Sequence, residues 1–231
     1  MQRPWLPEPP AGTPICLGFD GSDVDDITAL RAETRDGFRF TPRHGDDLPT
    51  IWNPAEWGGI VPRASVNDAL DAIFERFAVA RLYYDPPRWE SEGEKWALKF
   101  GEERVIAWPT YRTRQMHEAL ARYVTDMSTG DTTHDGCPIT ALHAANARKI
   151  PRGDRYILGK PAQHQKIDAA MADVLAHEAA CDTRAAGWAI ETGPAYIRLP
   201  RRPKRRASGT HALRNRDHRG TQASPRRPSL R

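Results

Sequence analysis

The pattern of apolar and polar residues predicts a mixed α/β domain that begins with three strands. An apolar run at 15–19 ends at Asp20 and is followed by a turn-forming acidic cluster. Residues 27–34 predict a second strand, and the Asp-Gly pair at 36–37 is a hairpin signal before a third strand at 38–40. We therefore expect a three-stranded antiparallel meander with a carboxylate at the end of its first strand.

Alternating helices and strands are predicted after this meander. Residues 41–63 contain several prolines and predict an irregular connection. Apolar residues then recur at helical spacing from Val66 to Ala80, directly before a strand at 82–84. The remaining pattern predicts helices at 90–100, 112–127, 138–149 and 167–187, and strands at 104–108 and 156–158.

The composition predicts a folded core with polar ends. Of 231 residues, 39% are hydrophobic, and the mean hydropathy is −0.68, which is low for a chain folded throughout. We expect a proline-rich linker at 1–14, a folded domain at 15–190 and a basic, disordered tail at 191–231.

Several protein classes are not indicated. No apolar run approaches the roughly 18 residues of a transmembrane helix, and the first residues lack the apolar core of a signal peptide. The three cysteines are widely spaced and form no CxxC pair, which fits reduced thiols better than a disulfide framework or a zinc site. We expect a cytoplasmic protein that does not contact membranes.

Charge is divided unevenly between the predicted domain and the tail. Residues 198–231 contain 12 Lys and Arg against one acid, a net charge of +11, while the remainder has 22 against 29, a net charge of −7. Basic tails bind nucleic acid with a steep dependence on salt. A merely solubilising tail is the alternative. The predicted DNA-binding residues of the tail are Arg201, Arg202, Lys204, Arg205 and Arg206.

Three acids occupy positions suited to a metal site. Asp20 and Asp85 end predicted strands, and Asp168 begins the last predicted helix. Carboxylates that converge bind hard divalent cations such as Mg²⁺ or Mn²⁺, and a pair of such ions can cleave phosphodiesters. The alternative is three unrelated, solvated surface acids. Asp173 is excluded because it lies about 140° around the helix from Asp168.

The order of these elements is that of the ribonuclease-H-like fold, with acids on the first strand, on the strand after the first helix and on a late helix. Within that fold, the chain resembles the C-terminal nuclease domain of a tailed-phage terminase large subunit of the type common in actinophages. The segments that carry the resemblance lie at 17–30, 84–101, 134–147 and 159–170. Together they span about residues 15–187, which is nearly the full extent of the predicted domain.

This resemblance implies a metal-dependent endonuclease that cuts double-stranded DNA during phage genome packaging in the host cytoplasm. It implies two Mg²⁺ or Mn²⁺ ions held by the catalytic residues Asp20, Asp85 and Asp168. The implied partners are DNA, the portal protein, the small terminase subunit and a separate ATPase domain. The chain contains no GxxxxGK[ST] phosphate loop, so no ATP site is predicted in it.

Other residues are predicted to border or extend the site. Asp26 lies near the first strand and is a reserve ligand, with a role in shaping the turn as the alternative. The resemblance places His134, Asp135 and His143 at the border of the site, while zinc binding by the histidines with Cys137 fits no common spacing. Phosphate contacts are predicted for Arg148 and Lys160, against the alternative of a solvated basic surface. Two other functions remain open: a catalytically silent DNA-binding or motor-interaction module, and a junction resolvase or transposase of the same fold.

Overall fold

A computed structural model describes residues 5–188, which form a mixed α/β domain. Eleven strands and five α-helices lie within these residues. The strands are β1 (Pro14–Asp20), β2 (Thr28–Thr34), β3 (Phe38–Phe40), β4 (Arg43–His44), β5 (Leu48–Pro49), β6 (Ile51–Trp52), β7 (Ala78–Tyr84), β8 (Val105–Ala107), β9 (Thr133–His134), β10 (Arg148–Arg152) and β11 (Arg155–Gly159). The helices are α1 (Arg63–Arg76), α2 (Glu90–Phe100), α3 (Thr113–Thr129), α4 (Pro138–Asn146) and α5 (Asp168–Ala185).

The central sheet has the strand order β8-β7-β1-β2-β3-β9, with β6 paired to β2. The first three strands are antiparallel, whereas β7 is parallel to β1 and β8 is parallel to β7. Phe19 pairs with Tyr84, and Tyr84 pairs with Ala107. The carboxyl ends of three adjacent parallel strands therefore meet at one edge of the sheet.

Helices cover both faces of this sheet. On β1, Ile15, Leu17 and Phe19 join a core that includes residues of α1 and α2, whereas Cys16 joins a core that includes residues of α3 and α5. Successive side chains of a strand point to opposite faces, so a strand buried on both sides is apolar throughout. This explains why the 15–19 run is continuous rather than alternating.

Helix α5 packs directly against β1. Every residue from Asp168 to Ala180 is buried, as expected for a helix surrounded by protein. A Cβ atom on Gly18 would lie 2.2 Å from the carbonyl oxygen of Ala172 and 2.2 Å from the amide nitrogen of Ala176. Gly18 is therefore required by the close approach of the helix backbone to the strand.

Most predicted elements are confirmed, and two boundaries are wrong. The first helix ends at Arg76 rather than Ala80, because Phe77 is extended and 78–84 forms the whole of β7. The helix predicted at 138–149 ends at Asn146, and 148–152 pairs with 155–159 in a hairpin. Proline at 151 disfavours a helix interior, and Gly153 at φ +66° suits the turn.

The chain ends and connections add smaller features. Within the predicted linker, the amide of Leu6 donates to the carbonyl oxygen of Asp135 at 2.7 Å. The predicted irregular connection contains the strands β4 to β6 and a short 3₁₀ helix, Pro54–Trp57. No helix in residues 5–188 is long and apolar enough to cross a membrane.

Substituting Gly18→Ala should destabilise the domain, because the new methyl group meets the α5 backbone rather than a side chain that could move away. We expect a loss of about 1–3 kcal/mol in the free energy of unfolding, measured by chemical denaturation. Leu142→Ala, on a side chain that is 60% exposed, serves as the control and should change little. Equal stability of Gly18→Ala and the wild type would contradict this account of the packing.

Candidate metal centre

The fold brings the three predicted acids into one electrostatic cluster. Asp20 ends β1, Asp85 follows β7, and Asp168 is the first residue of α5. The amide of Asp85 donates to the carbonyl oxygen of Phe19 at 3.0 Å, which places the two strand ends side by side. Burial and then the charges of Asp168, Asp85 and Asp26 raise the pKa of Asp20 well above its usual range.

Asp85 is held in position by Thr110, which lies just beyond β8. The amide of Thr110 donates to Oδ1 of Asp85 at 3.0 Å, and its hydroxyl donates to Oδ2 at 2.9 Å. Burial raises the pKa of Asp85 even though both hydrogen bonds oppose that shift. Thr110 therefore orients one carboxylate of the cluster, a role for which its sequence context carries no specific signal.

Asp168 has an unpaired oxygen atom. Its side chain is buried, and Oδ2 has no hydrogen-bond partner among the described residues. Burial, with a contribution from the charge of Asp26, raises the pKa of Asp168 to about 6. A buried carboxylate oxygen without a partner is costly unless a cation or donor satisfies it. Oδ2 of Asp168 is therefore the atom that most clearly indicates a bound cation or hydrogen-bond donor at this site.

Residues of α4 fix the start of α5. Nδ1 of His143 accepts a hydrogen bond from the amide of Ala169 at 2.9 Å, and the side-chain amide of Asn146 donates to the carbonyl oxygen of Lys166 at 3.0 Å. Burial and then the charge of Lys166 lower the pKa of His143 to about 4. His143 is therefore neutral near pH 7 and lies beside Asp168, where it caps the helix start.

Two lysines lie beside the acid cluster, and both form ion pairs with Asp26. Their ammonium groups lie 2.8 Å (Lys160) and 2.7 Å (Lys166) from Oδ1 of Asp26. These hydrogen bonds outweigh burial and lower the pKa of Asp26. Asp26 thus lies near the acid cluster, where it is ion-paired. Lys160, predicted to contact phosphate, makes this ion pair, and Lys166 joins it although its sequence position gave no separate indication.

The residues fit a hard divalent cation. All three acids offer carboxylate oxygens, the donor type that Mg²⁺ and Mn²⁺ prefer. Burial, with neighbouring negative charges, raises the pKa of Asp20, Asp85 and Asp168, so the ionised carboxylates are unfavourable without a positive charge beside them. Among residues 5–188, the group of three His, Cys, Asp or Glu ligand atoms that lie within 4.8 Å of one another is in another part of the fold. The oxygen atoms of Asp20, Asp85 and Asp168 are therefore farther apart than this.

Some predicted residues lie away from the three acids. Asp135 is buried and forms an ion pair with Arg31 at 3.2 Å. His134 is exposed, and its Nδ1 accepts from the amide of Gly136 at 3.1 Å. Arg148 is exposed and donates to the carbonyl oxygens of Ala145 and Ala147 at the end of α4. The predicted DNA-binding residues at 201–206 lie outside the described residues.

Asp173 points away from the acid cluster, as its helical offset predicts. Its Oδ1 lies 2.8 Å from Nε of Arg31, its Oδ2 pairs with Arg39, and the hydroxyl of Tyr123 donates to it at 2.7 Å. The arginines outweigh burial and lower the pKa of Asp173. Two aspartates of one helix therefore sit in opposite electrostatic environments.

Sequence comparison finds relatives among phage proteins. No family model matches the chain. It is 32% identical over 184 residues to the Gene 13 protein of Mycobacterium phage D29 and 30% identical to that of Mycobacterium phage L5, covering 74% of this chain in each case. The match spans only 30% of the length of these curated relatives.

Structural comparison identifies the fold. The HK97 bacteriophage large terminase superposes with a TM-score of 0.56 and 16% identity, over 76% of this chain and 40% of that protein. The large terminase nuclease of thermophilic phage G20c gives a TM-score of 0.55 and 14% identity, over 76% and 91% of the two chains.

The fold is that of a large terminase nuclease domain. The resemblance to terminase nucleases and the ribonuclease-H-like fold are thereby confirmed. The G20c nuclease has also been crystallised with bound magnesium and with bound cobalt.

Asp168→Asn should stabilise the protein in EDTA near pH 7. A carboxyl whose folded pKa of about 6 exceeds its unfolded value of about 3.9 binds more protons when folded, so it destabilises the fold progressively as pH rises from about 4 to 6. The ionised form costs about 3 kcal/mol above that window. Removing the charge should raise the melting temperature at pH 7 and flatten its decline between pH 4 and 6.

Asp173→Asn, the same substitution on the same helix, is the matched control and should act in the opposite direction. It removes the partner of two buried arginines, which costs about 3–5 kcal/mol. A lower melting temperature of metal-free Asp168→Asn at pH 7 would show that the Asp168 charge does not destabilise the fold.

Proposed function

We propose that this chain is the nuclease part of a phage terminase large subunit, a Mg²⁺- or Mn²⁺-dependent endonuclease that cleaves double-stranded DNA during genome packaging. The observation that carries the proposal is the meeting of Asp20, Asp85 and Asp168 on the edge of a terminase-nuclease fold. These acids come from two adjacent strand ends and a helix start, and one of them has a buried oxygen without a partner.

The chemistry follows from the carboxylates. Asp20, Asp85 and Asp168 would hold the cations, and cation binding would favour the ionised form of Asp20, because a positive charge offsets the burial and the neighbouring negative charges that raise its pKa. Such ions activate water and stabilise the departing 3′ oxygen in phosphodiester hydrolysis. Thr110 keeps the Asp85 carboxylate oriented for this role.

The lysines beside the acids suit a phosphate substrate. Lys160 and Lys166 share one carboxylate, Asp26, so the group carries an excess of one positive charge. That charge lies beside the acid cluster, since Asp26 and Lys160 both affect the pKa of Asp20. We infer that these lysines bind the DNA backbone near the scissile phosphate, with Arg148 and the basic residues at 201–206 contributing sequence-independent attraction.

The substrate, the metal and the partners that we assign to this chain are all part of this proposal. Metal-bound crystals of the G20c nuclease support divalent-cation dependence. The chain corresponds to about a third of the length of its phage relatives, so an ATPase domain, the portal protein and the small terminase subunit are proposed as partners. Packaging in the host cytoplasm is proposed on the same grounds.

A specific observation favours a second candidate, a catalytically silent DNA-binding module. The ligand atoms of the three acids do not all lie within 4.8 Å of one another among the described residues, and both neighbouring lysines already pair with an acid. Such a module would bind DNA in a salt-sensitive manner without cutting it. A resolvase or transposase would instead prefer branched DNA.

Supercoiled plasmid should be nicked by the wild type with Mg²⁺ or Mn²⁺ but not with EDTA. Asp85→Asn should lower the rate at least about a hundredfold, because bound metal contributes several kcal/mol to charge stabilisation in the transition state. Asp47→Asn, on a side chain that is 80% exposed, is the matched control and should retain activity. Equal cleavage by Asp85→Asn would refute the assignment, and DNA binding without cleavage by the wild type would favour the silent module.

Thr110→Val should weaken metal use without unfolding the site. It removes the hydroxyl bond to Asp85 and keeps the backbone bond, so we expect the Mg²⁺ concentration for half-maximal cleavage to rise about 10–100-fold. Thr110→Ser restores the hydroxyl and should recover most of the loss. A structural role alone would instead reduce activity equally at all Mg²⁺ concentrations.

A further inference from the structure

A second cluster of metal-binding side chains lies between α3 and α5. Asp126 comes from α3, and His177 and Cys181 come from successive turns of α5. Nε2 of His177 is 3.1 Å from Oδ2 of Asp126 and 3.4 Å from Sγ of Cys181. One ligand atom from each residue lies within 4.8 Å of the other two.

The separations are close to those of a tetrahedral zinc site. Bond lengths of about 2.0–2.3 Å to nitrogen, oxygen and sulfur imply ligand atoms roughly 3.4–3.6 Å apart. The two distances at Nε2 are slightly shorter, so these two pairs would move apart by only a few tenths of an ångström around an ion, and the Asp126 and Cys181 ligand atoms lie within 4.8 Å of each other. A histidine and a cysteine four residues apart on one helix face the same way, which gives the site two preorganised ligands.

Glu33 prepares the histidine for this role. Its Oε2 lies 2.8 Å from Nδ1 of His177, and the glutamate is fully buried on β2. Hydrogen bonds to Cys181 and Glu33 outweigh burial and raise the pKa of His177 to about 10, so zinc would displace a proton from Nε2. The proton on Nδ1 stays donated to Glu33, and the freed Nε2 lone pair then faces Asp126 and Cys181. Zinc-binding histidines almost always have such a carboxylate or carbonyl partner on the second ring nitrogen.

The local charges also suit a divalent ion. Glu33, Asp126 and a Cys181 thiolate contribute three negative charges, and Arg184 offsets one through its ion pair with Glu33. The remaining two match a single Zn²⁺. The guanidinium of Arg184 also lies 3.6 Å from Sγ of Cys181.

We propose that Asp126, His177 and Cys181 bind one Zn²⁺ ion, with a water as the fourth ligand. Thiolate, imidazole and carboxylate together favour zinc over the hard cations expected at the three acids. His177 is nine residues beyond Asp168, about 14 Å along the helix axis, so this site is separate from the cleavage site. The ion would tie α3 to the helix that carries Asp168, which is a structural role.

Titration of the full chain with Co²⁺ under reducing conditions tests the site. We expect one equivalent to produce the visible absorption of tetrahedral cobalt together with a thiolate-to-cobalt band, and Zn²⁺ to displace it. Cys181→Ser should abolish the thiolate band, and Asp126→Asn should weaken Co²⁺ binding at least about tenfold. Asp168→Asn, which alters the three-acid site, is the control and should leave the thiolate band unchanged.

A second measurement covers the case in which Cys181→Ser fails to fold. In the wild type, Zn²⁺ should slow alkylation of Cys181, located by peptide mass spectrometry, at least about tenfold; Cys16 and Cys137 are buried and serve as internal references. The proposal is overturned if the wild type gives no thiolate band, or if Zn²⁺ leaves the alkylation rate of Cys181 unchanged. His177 would then act only as an ion-pair partner of Glu33 and Asp126. Neither result bears on plasmid cleavage by the three acids.

Discussion

The close approach of α5 to β1 is the constraint on which the candidate site depends. Gly18 leaves no side chain between the strand and the backbone at Ala172 and Ala176, so the helix lies directly on the sheet. Asp20 is two residues from this contact on the strand, and Asp168 is four residues from it on the helix. The distance between two carboxylates of the cluster is therefore set by backbone packing rather than by flexible side chains.

Close packing alone would leave the rotation of α5 about its axis undefined, and a buried ion-pair network fixes it. Arg31, which pairs with Gly18 across the sheet, is fully buried and bonds to both Asp173 and Asp135. Asp173 lies about 140° around the helix from Asp168, so the rotation that satisfies the arginine also turns Asp168 to the edge of the sheet. Buried ion pairs add little net stability, but a broken one is costly, which makes them effective at selecting one arrangement.

The parts of the site predictable from sequence are those determined by strand ends and helix starts. Asp20, Asp85 and Asp168 terminate or begin strongly patterned elements, and parallel neighbours bring strand ends together. Thr110 was not predicted, because its hydrogen bond to Asp85 depends on where β8 ends. The predicted bounds of the 78–84 strand were too short, because Ala80 also fits helical spacing. The cluster of Asp126, His177 and Cys181 could not be predicted from the sequence. His177 and Cys181 match no common metal-binding motif, and Asp126 is distant from them along the chain.

The ion-paired and unpaired acids of α5 affect the stability of the fold in opposite directions. Asp173 has its charge neutralised by two arginines and a lowered pKa, so it favours the folded state. Asp168 has a raised pKa and an oxygen without a partner in the described residues, so its charge opposes folding until something positive approaches. The unfavourable charge persists because the surrounding core and ion pairs hold α5 in place, and the same rigidity keeps the carboxylates together for a cation.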